Sequence, residues 1–160
     1  MRNLTRPFLR QFPAALFCAL LMASLVASAK DVPLPRQPTI QLKAGSQSIQ
    51  AEVVASDETR QRGLMFRASM GKNEGMLFVF TERAYHSMWM RNTPLPLSVA
   101  FIDDAGKILS IHEMEPFSET NHMAAGPAKY ALEMNVGWFV THKVSAGDRI
   151  LGLEKAPKPK

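Results

Sequence analysis

The chain has 160 residues, 46% of them hydrophobic, with 19 Lys and Arg against 14 Asp and Glu and a formal net charge of +5. That length is ample for one hydrophobic core and short for two. A single cysteine rules out a disulfide framework and a multi-thiolate metal site within the chain.

Arg2, Arg6 and Arg10 precede an apolar run from Ala14 to Ala27, which ends in Ala27-Ser28-Ala29. A basic start, a short apolar centre and a small-residue site form a secretory signal peptide, assigned to residues 1–29. Export to the periplasm or beyond is therefore expected. An uncleaved run would act as a membrane anchor, because about 17 to 25 apolar residues span a bilayer. No other membrane contact is expected. Cys18 lies inside the run behind bulky Phe17, which does not suit lipidation, so cleavage leaves a cysteine-free chain from Lys30. Cleavage also removes three of the 19 basic residues and brings the charge close to balance. No dense Lys/Arg patch interleaves with aromatics, so nucleic acid is not an expected partner.

Residues 30–38, KDVPLPRQP, read as a proline-rich extended linker, and residues 154–160, EKAPKPK, as a disordered tail. One domain, 39–153, lies between them. TIQLKAGSQSIQAEVVA reads as two strands around a turn at Gly45-Ser46, with Ile49, Ala51 and Val53 alternating against Gln50 and Glu52. Ser56 to Gly63 reads as a short helix with a serine cap, acids first, arginines last and a glycine exit.

Gly75 to Phe80, GMLFVF, is uniformly apolar and reads as a strand covered on both faces. Tyr85 to Met90 and Leu97 to Asp103 follow as strands, then a hairpin turn at Asp104-Ala105-Gly106 into KILSIHEM. Glu115 to Lys129 reads as a long surface loop. Tyr130 to Met134 is a further strand, Gly137 to Lys143 a helical turn, and Asp148 to Leu153 a closing strand. Short strands dominate and no βαβ rhythm appears. The expected fold is mainly β, a single compact β-barrel or β-sandwich with one or two short helices.

The stretch SMWMRNTPLP, Ser87 to Pro96, draws most of the functional expectation. Pro94 and Pro96 cannot donate ladder hydrogen bonds, so the strand must stop near Arg91 and leave Arg91, Asn92 and Thr93 on a stiffened corner. One reading is local: Asn92 and Thr93 satisfy turn backbone while Arg91 pairs with a carboxylate such as Asp103 or Glu133. The other is a recognition corner for a small ligand or an envelope protein partner. There Arg91, Asn92 and Thr93 carry recognition, Trp89 and Arg67 lie beside them, and Asp103 and Glu133 orient them.

Two of the 10 methionines fall in the leader; the others are Met65, Met70, Met76, Met88, Met90, Met114, Met123 and Met134. Core filling explains most of them, since methionine adapts to irregular gaps. The alternative is an envelope copper site, because thioether and imidazole select Cu(I). Its candidate ligands are His86, His112, His122 and Met123. No other cofactor is expected, and no HExxH, G-x-S-x-G or Walker pattern is present. An enzyme whose site assembles only in space stays open, and it would need a carboxylate or histidine of displaced pKa in a cleft.

Gly63-Leu64-Met65-Phe66-Arg67, Gly75 to Phe80, Trp89-Met90-Arg91-Asn92-Thr93, and Ala100-Phe101-Ile102-Asp103 with Gly106 form an ordered set of motifs. Tyr130 to Asn135, Gly137 and Gly147-Asp148 continue it. The set resembles domain of unknown function 192 (DUF192, also UPF0127) over about Ile49 to Ile150. The resemblance implies a compact, mainly β domain, often exported, whose biochemical role is not established. Two departures stand out. Arg91 replaces a lysine of the family pattern, exchanging a point donor for a planar fork. His142 to Ala146 lacks a glycine expected before Gly147-Asp148.

Overall fold

The computed structural model describes residues 32–160; the leader assigned to 1–29 lies outside them. Strands β1 (Thr39–Ala44) and β2 (Gln47–Val54) form a hairpin through the turn at Gly45-Ser46. Helix α1 (Asp57–Arg62) follows, then β3 (Glu74–Ala84), β4 (Ser87–Met88), β5 (Leu97–Ile102) and β6 (Ile108–Met114). The chain ends with β7 (His122–Met123), β8 (Ala128–Asn135), α2 (Trp138–Thr141) and β9 (Ile150–Leu151). Among the described residues no helix is long and apolar enough to cross a membrane.

Seven strands make one sheet in the order β6-β5-β8-β3-β2-β1-β9. Only β2 and β3 pair in parallel, because α1 and its exit loop carry the chain back to the start of the sheet. The sheet curls until its two ends meet. Ile108 N–H donates to Asp148 O and Ile150 N–H to Gly106 O, both at 2.8 Å, and Lys107 bridges Arg149. Of the two architectures expected, the barrel-like one is therefore realised.

The run GMLFVF owes its uniform apolarity to this position. Leu77 and Val79 point into a core with Leu42, Ile49, Ile102, Leu132 and Phe139. Met76 and Phe78 point into a second core with Met90, Leu97, Phe101 and Met114. A strand covered on both faces has no solvent side to reserve for polar residues. Met76, Met90, Met114 and Met134 are fully buried and act as core filler.

Helix α1 carries the expected capping box. Ser56 Oγ accepts from Thr59 N–H while Thr59 Oγ1 accepts from Ser56 N–H. Two segments depart from the sequence reading. The strand expected over Tyr85 to Met90 shortens to β4, which pairs with β7 in a separate ribbon inside the expected long loop. The proline-rich segment is extended, and it is tied down: Gln37 N–H donates to Glu52 Oε2 at 2.9 Å, and Leu34 packs on the second core. At the C-terminus, Leu153–Lys155 forms a 3-10 turn, and Lys160 N–H donates to Ala55 O at 2.7 Å.

Gly106 makes the closure possible. Its φ is +82°, and a Cβ there would lie 2.6 Å from Ile150 O, on the residue whose N–H donates to Gly106 O across the seam. Gly45 has a similar φ of +57° with nothing within 4 Å. Gly45→Ala should therefore cost about 1 kcal/mol for the left-handed backbone alone. Gly106→Ala should cost roughly 2 to 3 kcal/mol more, because a seam hydrogen bond is also lost. Urea midpoints of the two variants check this, and equal losses would show that the seam contributes nothing.

Candidate functional site

Five positions on the second core face fall in one row across the sheet. Register aligns Glu52 with Met76, Met76 with Glu133, Glu133 with Val99, and Val99 with His112. At the usual strand spacing, Glu52 and His112 each lie about 10 Å from Glu133. Two carboxylates and an imidazole thus share a face that is otherwise packed with hydrocarbon.

Glu52 is compensated. Arg67, buried itself, holds it in a bidentate ion pair, and Arg36 Nη1 adds a third contact at 2.6 Å. Burial pushes the Glu52 carboxyl up, but hydrogen bonds from Arg67, the Gln37 N–H and Arg36 outweigh it and hold the pKa below the usual value. The polar, outward position read for Glu52 from the alternation of β2 is overturned here, because the proline-rich segment and the Arg67 loop cover it.

Glu133 is not compensated. It is 3% exposed and makes no hydrogen bond or ion pair among the described residues. Burial alone pushes its pKa up to about 8. Its remaining exposure opens into a cavity of about 210 Å³. The walls are the end of α1 through Met65, the β3 side chains Phe78 and Phe80, and Met88, Trp89 and Thr93 from β4 and its corner. Beside the cavity, after Val79, β3 stops pairing with β8 until Ala84. Lys129 Nζ takes up the carbonyls freed there, donating to Phe80 O at 2.7 Å and Thr81 O at 2.9 Å.

The expected recognition corner divides into three. Thr93 is buried in the cavity wall, with Oγ1 donating to Arg91 O at 3.2 Å. Asn92 adopts φ +56°, a conformation asparagine tolerates, and its carbonyl accepts from Phe66 N–H at 2.7 Å. Arg91 points outward. Its guanidinium lies 5.7 Å from the Trp89 ring centre, and its Nε is 3.9 Å from Glu119 rather than near Asp103 or Glu133. Trp89, 42% exposed, roofs the cavity. Arg67 is committed to Glu52, and Asp103 Oδ1 accepts from Lys107 N–H at 2.8 Å in the hairpin turn.

The candidate metal ligands are also spread. His86 stacks on Phe80 at 3.7 Å and contacts Glu82 O. His112 and His122 lie 5.8 Å apart, centre to centre. Burial, and then the neighbouring His122, hold the His112 pKa below the ordinary histidine value. His122 and Met123 are successive strand residues whose side chains alternate across the ribbon. Among the described residues no group of three or more His, Cys, Asp or Glu could hold a metal ion.

The sequence model of DUF192, described as an uncharacterised ACR, matches residues 40–152. The chain belongs to this family. No curated protein matches it. Among solved structures, a chain from Sinorhizobium meliloti whose name proposes it as a transcription regulator is 37% identical, with a TM-score of 0.66. The match covers 74% of this chain and 95% of that one. A protein of unknown function from Novosphingobium aromaticivorans is 27% identical with a TM-score of 0.67, covering 77% and 96%. The family motifs acquire a shared location in the fold. Gly63-Leu64-Met65, Phe78 and Phe80, Trp89 and Thr93, and Glu133 come from four separate motifs and line one cavity. Sequence reasoning passed over Met65, Phe78, Phe80 and Met88 because apolar residues look like core.

Two variants test the two carboxyls. Arg67→Met leaves Glu52 buried without its main partner and should cost about 3 to 5 kcal/mol, whereas Arg67→Met with Glu52→Met should recover much of that loss. Chemical denaturation of the pair measures it. For Glu133 the raised pKa means that the folded state keeps a proton the unfolded state has lost between 4.5 and about 8. Stability should therefore fall as pH rises through that window, by on the order of 1 kcal/mol per pH unit. Thermal unfolding of Glu133→Gln should lack this decline and show the variant more stable than the parent at alkaline pH.

Proposed function

We propose that this exported DUF192 domain is a receptor for a small, partly apolar molecule that enters the cavity beneath Trp89 and meets Glu133 at its end. The observation that carries the reading is an acid without a partner among the described residues. A buried carboxyl that the fold leaves unbonded is destabilising, and in a cavity with aromatic and thioether walls it has the form of a polar anchor. Trp89 at the mouth supplies apolar contact area, and Thr93 adds a second polar group in the wall. The leader read in the sequence supports an address in the periplasm or outside the cell. A transcription role, as in the name of the Sinorhizobium protein, has little support in this chain. Arg36, Arg60 and Arg67 are engaged with carboxylates or backbone carbonyls rather than arrayed for phosphates.

A second reading follows from the same carboxyl. An acid that stays protonated at neutral pH in a cleft can serve as a general acid, which would make the cavity an active site. It predicts turnover, where the receptor reading predicts an unchanged ligand.

Native mass spectrometry of the protein recovered from the exporting cell tests both. The receptor reading expects a reproducible small-molecule adduct on the parent and none on Met65→Trp, whose larger side chain fills the cavity. An adduct on both proteins would place the ligand elsewhere. A bare mass, together with no thermal shift from a chemically diverse library, would sink the receptor reading.

A further inference from the structure

The cavity contains an electrostatic imbalance that identifies the class of molecule it suits. Among the described residues, the two arginines that line it, Arg60 and Arg62, are both engaged elsewhere. Arg60, on its rim, donates to Ala55 O at 2.6 Å and Val79 O at 2.9 Å and pairs with Asp57. Arg62 donates to Val32 O and lies 5.1 Å from the Phe66 ring centre. Along the row, Arg67 is spent on Glu52 on one side, and on the other His112 lies two strands away, bonded to Ser110 Oγ at 3.2 Å. From β3 and β5 the neighbours of Glu133 are Met76 and Val99, which carry no charge. Among the described residues the fold therefore offers Glu133 no counter-ion.

Around that acid stand Phe78, Phe80 and Trp89, with Met65 and Met88 between them. Aromatic faces attract cations through their quadrupole, by about 2 kcal/mol or more where water is excluded. Trp89 already makes one such contact, since Arg91 lies over its ring. An unpaired carboxyl, aromatic faces and a cavity of about 210 Å³ whose two lining arginines, Arg60 and Arg62, are turned to backbone carbonyls and Asp57 are complementary to one kind of guest.

Resting on the reading of the cavity as a ligand site, we propose that its occupant is a small organic cation, an alkylammonium. Its charged end lies against Glu133 and its carbon chain packs on Phe78, Phe80 and Trp89. Burial keeps Glu133 in its acid form at neutral pH while the cavity is empty. Binding then exchanges one cation for another. The carboxyl O–H bond breaks, its proton leaves to solvent, and the ammonium pairs with the carboxylate that remains, so charge in the cavity is conserved. A neutral guest would leave that proton in place, and an anionic guest would meet an acid that must stay protonated.

Isothermal titration calorimetry with the full chain tests this, using pentylammonium, 1-pentanol and pentanoate as probes of matched length. Pentylammonium should bind at least about tenfold more tightly than pentanol. Its apparent enthalpy should vary with the ionisation enthalpy of the buffer, corresponding to one proton released. Its affinity should rise by about tenfold per pH unit from about pH 5 and level off above about pH 8, a readout that needs no variant. Glu133→Gln should abolish the preference and the proton release while still binding pentanol. Equal binding of pentylammonium and pentanol without proton release, or a preference for pentanoate, would overturn the cation assignment and leave the cavity reading intact. No binding by any of the three at millimolar concentration would overturn both.

Discussion

The ion pair between Arg67 and Glu52 joins three parts of the chain that local structure leaves independent. Arg67 closes the loop after α1, Glu52 belongs to β2, and the same carboxylate receives Arg36 and the Gln37 N–H from the extended segment before β1. Through the Phe66 N–H bond to Asn92 O, that loop also holds the corner after β4. The wall and the roof of the cavity are thus fixed to each other through one buried charge pair. Burying such a pair contributes little net stability compared with hydrocarbon of the same shape, but it strongly penalises arrangements in which either partner is left alone.

Glu133 occupies the same row and the same face under the opposite condition. Where Glu52 draws two arginines, Glu133 draws none among the described residues, and burial pushes its proton affinity up. The two carboxyls have opposite pH dependences. The contribution of Glu52 is lost as pH falls below the ordinary carboxylate range, whereas the penalty on Glu133 grows as pH rises toward about 8. Fold and candidate site thus make different demands on chemically identical side chains, separated only by what the surrounding loops bring to them.

The sheet carries an irregularity beside the cavity. Pairing between β3 and β8 lapses after Val79 and resumes at Ala84, and Lys129 satisfies the carbonyls that the lapse exposes. Phe80 is released at this point from regular pairing, and its ring stacks on His86 at the head of the ribbon formed by β4 and β7. Irregularities of this kind bend a strand and re-aim its side chains, which is why they collect beside functional surfaces.

Local patterns in the sequence determined much of the architecture. The capping box of α1, the turns at Gly45 and Gly106, and the doubly covered strand at GMLFVF follow from interactions within a few residues, and so does the mainly β class. The ordered motifs also carried the family. Tertiary structure alone decided which polar residues meet. Arg91, Asn92 and Thr93 are adjacent in sequence, yet a left-handed residue between two others leaves Arg91 and Asn92 exposed and Thr93 buried in the cavity wall. Glu52 and Glu133 are 81 positions apart, yet register places them on one row. Strand alternation can assign a residue to a face, but whether that face receives an arginine, a loop or an open cavity depends on chain segments remote in sequence. The proton affinity of a carboxyl, and with it the candidate site, is set by that choice.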